Sequence, residues 1–343
     1  MPHSRPSGPA ASGAMNTRQP PGAPRPAPLP CLGRRAAGLA LLSLALPRAG
    51  MAQAQEGGTM LVPGPEDGGC ARWAARASAS LSRGLHRPGA LRLTYLGGPD
   101  GVTAANRFAT LDGAGGTHFL VLPGWTCHAR LTGATRARFE PRAWMPLLVN
   151  WHGAILAGRG PLPGRGGAPL RVAIPSPDAP EAAALAALDL LGVPAQPVSG
   201  TPETAFAAGE ADALILTGPD ALARAQALGA LPWYQLPWPG EAEAGEVPPF
   251  PSDSPVAKGV LAAAAGLQMR VALVMPLLTP ADTVAAWRRA AARWPEEERG
   301  QPDTGQALTG PAAASAFALL SPSPDATLSY RSWLERRLGW RPT

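Results

Sequence analysis

The chain has few of the residues and motifs that mark catalytic or metal-binding proteins. It contains a single lysine, Lys258, beside many arginines, which indicates a composition bias rather than a functional surface. The patterns G-x-S-x-G, G-x-x-x-x-G-K-[ST] and H-E-x-x-H are absent, and the histidines have no metal-ligand spacing on one helix. After residue 54 no apolar run is long enough to cross a bilayer. The sequence therefore predicts no catalytic residue, cofactor or metal.

The first 54 residues have the features of an export leader. They include no acidic residue, and a pair of arginines precedes the apolar run Ala36–Leu46. That run is too short to span a membrane, and small residues after it offer cleavage positions at Ala52 or Ala54. The other interpretation is a short buried helix. We predict a Pro/Ala-rich leader with a cleaved signal peptide over residues 1–54 and a periplasmic mature protein.

Removal of this leader changes the charge of the protein. Six of the 30 basic residues and none of the 24 acidic residues precede residue 55, so the chain from Gln55 onward has 24 of each. A nucleic-acid-binding protein needs a basic face that survives processing. The balanced mature chain offers no such excess, and no nucleic-acid partner is predicted.

Strand-like and helix-like segments alternate along the mature chain, which predicts an α/β protein with parallel strands covered by helices. Strands are predicted at 91–95, 118–122, 170–174, 195–198, 213–216 and 271–275, and helices at 102–111, 180–191, 202–208, 219–228, 280–294 and 325–338. The Pro-rich stretch 229–254 is predicted to be irregular, and 296–310 is a polar segment.

The stretch "TMLVPGPEDGGCARWAARASASLSRGL", from Thr59 to Leu85, combines a short strand, a glycine loop and a helix. Free N–H groups at a helix N-terminus bind anions when glycines let the ligand approach the backbone, and Gly68 and Gly69 fit that role. The alternative is a tight turn that binds nothing, with Glu66 or Asp67 capping the helix.

Three segments, in order, resemble the solute receptors of tripartite tricarboxylate transporters (the Bug/TctC type). The first joins "LVPGPEDGGCARWAARASASLSRGL" to "LRLTYLGGPDGVTAANRFATLDGAGGTHFLVLPG". The second is "LRVAIPSPDAPEAAALAALDLLGVPAQPVSGTPETAFAAGEADALILTG", in which Pro197, Gly200, Gly209 and Asp212 hold the places of the family's turn and strand residues. The third is "MPLLTPADTVAAWRRAAARW". Together they cover nearly all of the mature chain.

The resemblance implies a type II periplasmic-binding-protein fold, with two α/β lobes and a ligand cleft between them. Lobe 1 would comprise residues 55–150, lobe 2 residues 151–228, and residues 229–343 would return to lobe 1 and form the C-terminal helices. It also implies a receptor without catalysis, which captures a small organic acid and delivers it to the permease subunits of a tripartite transporter.

The resemblance further implies which residues bind the ligand. The predicted cradle comprises Pro65, Gly68, Gly69 and Cys70, then Gly124, Trp125, Thr126, Cys127 and His128, and in lobe 2 Ser176, Pro177, Asp178, Ser199, Gly200 and Thr201. By the same geometry the loops of Cys70 and Cys127 share one sheet edge, which admits a Cys70–Cys127 disulfide. Trp125 and Trp151 are candidate aromatic walls, and His128, Arg130 and Arg142 are candidate positive groups.

Three acidic residues complicate this assignment. Asp178 would face a bound carboxylate across the cleft, and Glu66 and Asp67 add negative charge on the opposite side. They either cap helices with their side chains turned aside, or the ligand is cationic or zwitterionic. Two other functions stay open: an exported α/β enzyme using Cys127 or His128, and a receptor-like sensory domain without a transport role.

Overall fold

Two β-sheets, each with helices on both faces, organise the chain into lobe 1 and lobe 2. The computed structural model describes residues 58–85, 91–111, 117–164, 166–239, 247–251, 253–301 and 305–342. All of them belong to one compact unit. The predicted leader lies outside the described residues, so its cleavage stays a prediction.

The lobe-1 sheet is mixed. Its strands are β1 (Thr59–Val62), β2 (Arg92–Tyr95), β3 (His118–Leu122), β4 (Trp144–Trp151), β10 (Met269–Pro276) and β11 (Gln306–Thr309). They lie in the order β11–β4–β10–β3–β1–β2. Strand β1 is parallel to β2 and β3, whereas β10 is antiparallel to β3 and β4, and β11 is antiparallel to β4.

Helices cover both faces of this sheet because successive strand residues point to opposite sides. Met60 and Val62 pack under α1 (Gly69–Gly84), α8 (Ala281–Ala291) and α9 (Trp294–Glu298). On the other face, Leu61 belongs to the core under α2 (Val102–Phe108), α3 (Gly124–Thr132) and α10 (Gly310–Leu319). Helices α1 and α3, which contain Cys70 and Cys127 respectively, therefore lie on opposite faces of the sheet.

The lobe-2 sheet is built from β5 (Gly153–Gly158), β6 (Leu170–Ile174), β7 (Ala195–Ser199), β8 (Ala213–Gly218) and β9 (Leu231–Gln235). Their order is β7–β6–β8–β5–β9. Strand β6 is parallel to β7 and β8, and β5 is antiparallel to β8 and β9.

The prediction that residues 229–254 are irregular is wrong over β9. This strand pairs with β5, so it extends lobe 2 beyond the predicted boundary at residue 228. Two features explain the difference: β9 is an edge strand, where the missing N–H of Pro232 is tolerated, and Trp233 and Leu236 are buried in the lobe-2 core.

Helices also cover both faces of lobe 2. Helices α5 (Pro202–Ala207) and α6 (Ala221–Ala227) pack on one face, and α4 (Ala182–Leu191), α7 (Pro255–Gln268) and α11 (Pro324–Leu338) on the other. The C-terminal helix α11 follows lobe-1 elements in sequence but contacts lobe 2. Its Trp333 Nε1 and Arg337 Nε donate hydrogen bonds to one carboxylate oxygen of Asp189, at 2.9 and 3.1 Å.

The segments that pass between the lobes are hydrogen-bonded to one another. His152 separates β4 of lobe 1 from β5 of lobe 2, and its backbone N–H donates to the carbonyl of Gln268 at 2.8 Å. The buried Gln268 side chain donates in turn to the carbonyl of Pro237 at 3.1 Å. These contacts join the segments that connect the two lobes. The predicted α/β class with two lobes is confirmed.

Candidate functional site

A cavity of about 420 Å³ lies at the edge of the lobe-1 sheet where α1 and α3 begin. The parallel strands β1 and β3 end at this edge, and β10 begins there because it runs antiparallel to β3. The cavity is lined by Pro63, Gly64, Pro65, Gly68, Gly69, Cys70, Arg72, Trp73, Arg76, Pro99, Pro123, Trp125, Arg270, Val271 and Gln301.

The start of α1 forms one wall and presents backbone donors. Gly68 is the N-cap residue and no side chain caps the helix. The first helical hydrogen bond runs from the N–H of Arg72 to the carbonyl of Gly68, so the N–H groups of Gly69, Cys70 and Ala71 have no acceptor within the helix. Such donors, together with the positive end of the helix dipole, attract an anion.

The two acidic residues of this loop do not oppose an anion in the cavity. Glu66 and Asp67 are exposed and neither lines it. The prediction that one of them caps α1 is wrong, because a glycine occupies the cap position.

Arg270 supplies the positive charge of the cavity, and sequence reasoning missed it. An added Cβ on Gly69 would lie 3.9 Å from Arg270 Nη2, so the guanidinium stands beside the start of α1. Within the described ranges, Arg270 has no hydrogen-bond or ion-pair partner. Burial raises the pKa of the Cys70 thiol, and the charge of Arg270 partly offsets that rise.

Two further arginines line the cavity, and both have protein partners. Arg76 forms a two-pronged ion pair with Glu298 (Nε to Oε2 3.1 Å, Nη2 to Oε1 2.7 Å), whose side chain is only 1% exposed. Arg72 Nη1 donates to the carbonyl oxygen of Asp67 at 2.5 Å and keeps its charge. Glu298 neutralises the charge of Arg76. Among the described lining residues, Arg72 and Arg270 then give the cavity two net positive charges.

Aromatic side chains form the floor and the rim. Trp73 is buried, and its Nε1 donates to Oδ1 of Asn150 at 3.0 Å. Trp125, in the first turn of α3, lines the cavity and is 54% exposed. The predicted second aromatic wall is wrong, because Trp151 is fully buried in the lobe-1 core.

The rest of the predicted α3 segment has structural contacts. Gly124 allows close packing: an added Cβ would lie 2.4 Å from the carbonyl oxygens of Gly266 and Met269. The hydroxyl of Thr126 donates to the carbonyl of Asp100 at 2.7 Å. Cys127 and His128 are buried, and none of these four predicted residues lines the cavity.

His128 connects the lobes. Its Nε2 donates to the backbone carbonyl of Asp178, in the loop after β6, at 2.9 Å. Burial lowers the pKa of His128 to about 4, although this hydrogen bond and the Asp178 carboxylate act in the opposite direction. Burial also raises the pKa of the Cys127 thiol, with a smaller contribution from Glu140. A neutral thiol and an engaged imidazole are a poor nucleophile and base.

The predicted Cys70–Cys127 disulfide is wrong, since both thiols are free. The two residues do lie near the same sheet edge, but α1 and α3 cover opposite faces. Cys70 packs against one lobe-1 core cluster and Cys127 lies within the other.

The predicted lobe-2 residues lie together but away from the cavity. Ile174, which ends β6, is opposite Ser199 in β7, so the loop Ser176–Asp178 and the turn Ser199–Thr201 share one sheet edge. The Ser176 hydroxyl donates to Oδ1 of Asp178 at 2.7 Å. None of the six predicted lobe-2 residues lines the cavity. The described residues that line the cavity all belong to lobe 1, and a role for lobe 2 in ligand binding stays a prediction.

Neither a metal centre nor a membrane span is found in the part of the chain that the structure describes. No group of three or more His, Cys, Asp or Glu side chains there could hold a metal ion. No helix there has both the length and the apolar character to cross a bilayer.

No protein-family model matches this sequence, and no curated protein matches it. Among solved structures, it is similar to a ligand-free TctC solute-binding protein from Polaromonas, with a TM-score of 0.61 and 14% identity over 82% of this chain and 98% of that one. The chain has the fold of a TctC solute-binding protein. The type II binding-protein fold expected from the sequence is thus confirmed.

Two further similar structures superpose less well. MatC from Rhodopseudomonas palustris, which contains bound malate, has a TM-score of 0.45 and 19% identity over 82% of this chain and 99% of its own. The periplasmic binding protein BugD has a TM-score of 0.46 and 14% identity over 84% of this chain and 99% of its own.

Proposed function

We propose that this protein is a solute-binding receptor for a small carboxylate. The observation that carries the proposal is the lobe-1 cavity, in which an unpaired Arg270 guanidinium stands beside the open N-terminus of α1. A bound carboxylate would accept hydrogen bonds from both and neutralise a charge that no described residue neutralises.

The shape of the cavity suits the rest of such a ligand. Its volume of about 420 Å³ falls within the usual range for small-molecule sites. Prolines line much of it, and the exposed ring of Trp125 offers an apolar surface at the rim. An organic acid with a short carbon chain or a flat ring would place its acid group at Arg270 and its carbon atoms against Trp125 and Pro123.

Lobe 2 would complete the site by closing over the ligand. Rotation about a hinge at His152, Pro237 and Gln268 would bring the free end of the lobe-2 sheet toward the cavity. The residues expected there are those of the Ser176–Asp178 loop and the Ser199–Thr201 turn. The backbone carbonyl of Asp178 accepts a hydrogen bond from His128 of α3, and its carboxylate accepts one from Ser176, so that carboxylate would already have a protein partner when the lobes close.

The fold, together with the predicted leader, supports a transport role. We propose that the chain is a divergent member of the receptors of tripartite tricarboxylate transporters, exported to the periplasm by its leader, which is then removed as residues 1–54. In the closed state it would present its ligand to membrane permease subunits. The enzyme alternative is disfavoured by the buried, neutral Cys127 and the engaged His128.

A thermal-shift panel tests the proposed ligand class. The protein from Gln55 onward is mixed separately with C4 and C6 dicarboxylates, aromatic acids, amino acids and amines. A ligand that binds only the folded state stabilises it by about 2.7 kcal/mol at a hundredfold excess over Kd, which raises the melting temperature measurably. Stabilisation by a carboxylate supports the proposal; stabilisation by amines alone, or by no compound, contradicts it.

A further inference from the structure

A second cavity, of about 290 Å³, lies on the α3 face of lobe 1. It is bounded by α3, the 3-10 turn Pro141–Ala143 and the junction between α10 and α11. Three arginines from three different elements line it, namely Arg130, Arg142 and Arg331. Arg130 and Arg142 were candidate cleft cations in the sequence, but they belong to this separate cavity.

Each arginine is held in place by backbone carbonyls, which fix its position without neutralising its charge. Arg331 donates from Nε to Leu131 O at 2.8 Å and from Nη2 to Arg130 O at 2.7 Å, at the C-terminal end of α3. Arg142 Nη2 donates to the carbonyls of Ser321 and Pro322, at the α10–α11 junction.

Arg130 is anchored in the same way, through a 2.9 Å hydrogen bond from Nε to Phe139 O. A guanidinium carries five N–H donors. Each of the three side chains therefore has further N–H groups that no described carbonyl engages. The anchoring hydrogen bonds hold these groups in fixed positions around the cavity.

The positive charges of the cavity are only partly compensated. One carboxylate lines it, that of Glu140, and its Oε2 is 3.6 Å from Arg130 Nη2. Two net positive charges remain. Burial, and then the proximity of Arg130, lower the pKa of Arg331. In addition, Ser321 Oγ is buried and has no hydrogen-bond partner in the described structure.

We propose that this cavity is a second anion site, which binds a small oxyanion group such as a phosphate, sulfate or carboxylate. An oxyanion would accept hydrogen bonds from the guanidinium N–H groups that the described carbonyls do not engage. Its negative charge would also reduce the repulsion between neighbouring arginines. The source is either a free inorganic ion or the acidic group of an organic molecule whose carbon atoms contact Leu320 and Leu328.

The second site is distinct from the carboxylate cavity. Helix α3 contributes Trp125 to the first cavity but Cys127, Arg130 and Leu131 to the second. No residue that the structure describes lines both cavities. The proposal consequently does not depend on the receptor function, and a failure of one leaves the other standing.

Titration calorimetry with inorganic phosphate tests the site, using the protein from Gln55 onward at physiological ionic strength. We expect phosphate binding that Arg142→Gln weakens at least tenfold. The matched control is Arg138→Gln, which removes the same charge from the same segment outside the cavity. Equal loss in both variants, or no binding by the wild type, would overturn the proposal.

A second variant guards against a misfolding artefact. Glu140→Gln removes the carboxylate found among the described lining residues and should strengthen phosphate binding, by up to about fivefold. Unchanged or weaker binding in that variant contradicts the proposal. Arg270→Gln should leave phosphate affinity unchanged; a tenfold loss would place the phosphate in the first cavity and overturn the second site.

Butyl phosphate identifies the source of the oxyanion. Tighter binding than inorganic phosphate indicates an organic acid whose chain contacts Leu328, and weaker binding indicates the free ion. Either order supports the site, provided that Arg142→Gln weakens both compounds.

Discussion

The buried His128 makes the stability of the protein depend on pH between 7 and 5. In the folded protein its pKa is lowered from its ordinary value of 6.5 to about 4, chiefly by burial. Below pH 6.5 the unfolded chain binds a proton at this residue, whereas the folded protein does not until about pH 4. The contribution of His128 to stability is therefore present at pH 7 and is lost as the pH falls toward 4.

The magnitude follows from linkage between proton binding and folding. Going from pH 7 to pH 5, this one residue lowers the free energy of unfolding by about 2 kcal/mol, and the full loss below pH 4 is about 3 kcal/mol. The suitable variant is His128→Gln, because its amide cannot titrate in this range and can still donate to the Asp178 carbonyl.

Urea unfolding, followed by tryptophan fluorescence, measures the effect at pH 7 and pH 5. The wild type should lose about 2 kcal/mol more than His128→Gln between the two pH values. Other titrating groups affect both proteins equally, so the difference reports on His128 alone. Equal losses in the two proteins would refute the reasoning.

Two substitutions and one chemical assay test the packing of the described lobes and the oxidation state of their cysteines. Glu298→Gln should destabilise the protein by about 2 kcal/mol in urea unfolding, because it breaks the two-pronged ion pair of a buried carboxylate with a half-buried arginine. Gly124→Ala should cost about 1–3 kcal/mol in the same assay, because the new methyl group meets two backbone carbonyls at 2.4 Å. Thiol titration of the denatured, unreduced protein from Gln55 onward should find two thiols per chain, from Cys70 and Cys127.

Each of the two substitutions has its own control. Glu296→Gln removes an exposed ion pair with Arg299 and should change stability by less than about 0.5 kcal/mol. Gly98→Ala places a methyl group no closer than 3.6 Å to its neighbours, so it should be tolerated. If Glu298→Gln or Gly124→Ala is as stable as its control, the packing argument at that residue is contradicted. A thiol count of zero would contradict the free state of Cys70 and Cys127.

Local patterns predicted the parallel strands well. Segments such as Val172–Ile174 and Phe119–Leu122 are short buried runs bounded by turns, and each lies between helices in the structure. Strands β4 and β5 were missed because the run from Trp144 to Gly158 is apolar almost throughout, so neither period nor turn residues marks a break. Strands β9 and β11 are edge strands in proline-rich or polar segments, where pairing overrides sequence preference.

The candidate site overlaps with the sequence prediction only where it is local in sequence, and ligand binding by those residues stays a prediction. The loop around Gly68 and the start of α1 lines the cavity as predicted from its strand, glycine and helix pattern. Arg270 lies about two hundred residues later, and it reaches the same place only because β10 runs antiparallel to β3. Nothing local in "LQMRVALVM" reveals that direction.

The disulfide prediction failed for a related reason. Sequence order placed Cys70 and Cys127 near one sheet edge, but it did not settle on which face each helix packs. That choice depends on the match between helix and strand side chains over the whole lobe, as in the pairing of Phe119 with Trp287 at 4.7 Å between ring centroids.

The central claim is that the lobe-1 cavity binds a carboxylate through Arg270 and the start of α1. The most direct measurement is the affinity of the best carboxylate from the thermal-shift panel, by titration calorimetry, for the wild type, for Arg270→Gln and for the control Arg107→Gln on α2. Losing a charge-assisted hydrogen bond should weaken binding by about 10- to 100-fold in Arg270→Gln, and the Arg107→Gln affinity should stay at the wild-type value. Wild-type affinity in Arg270→Gln would contradict the account.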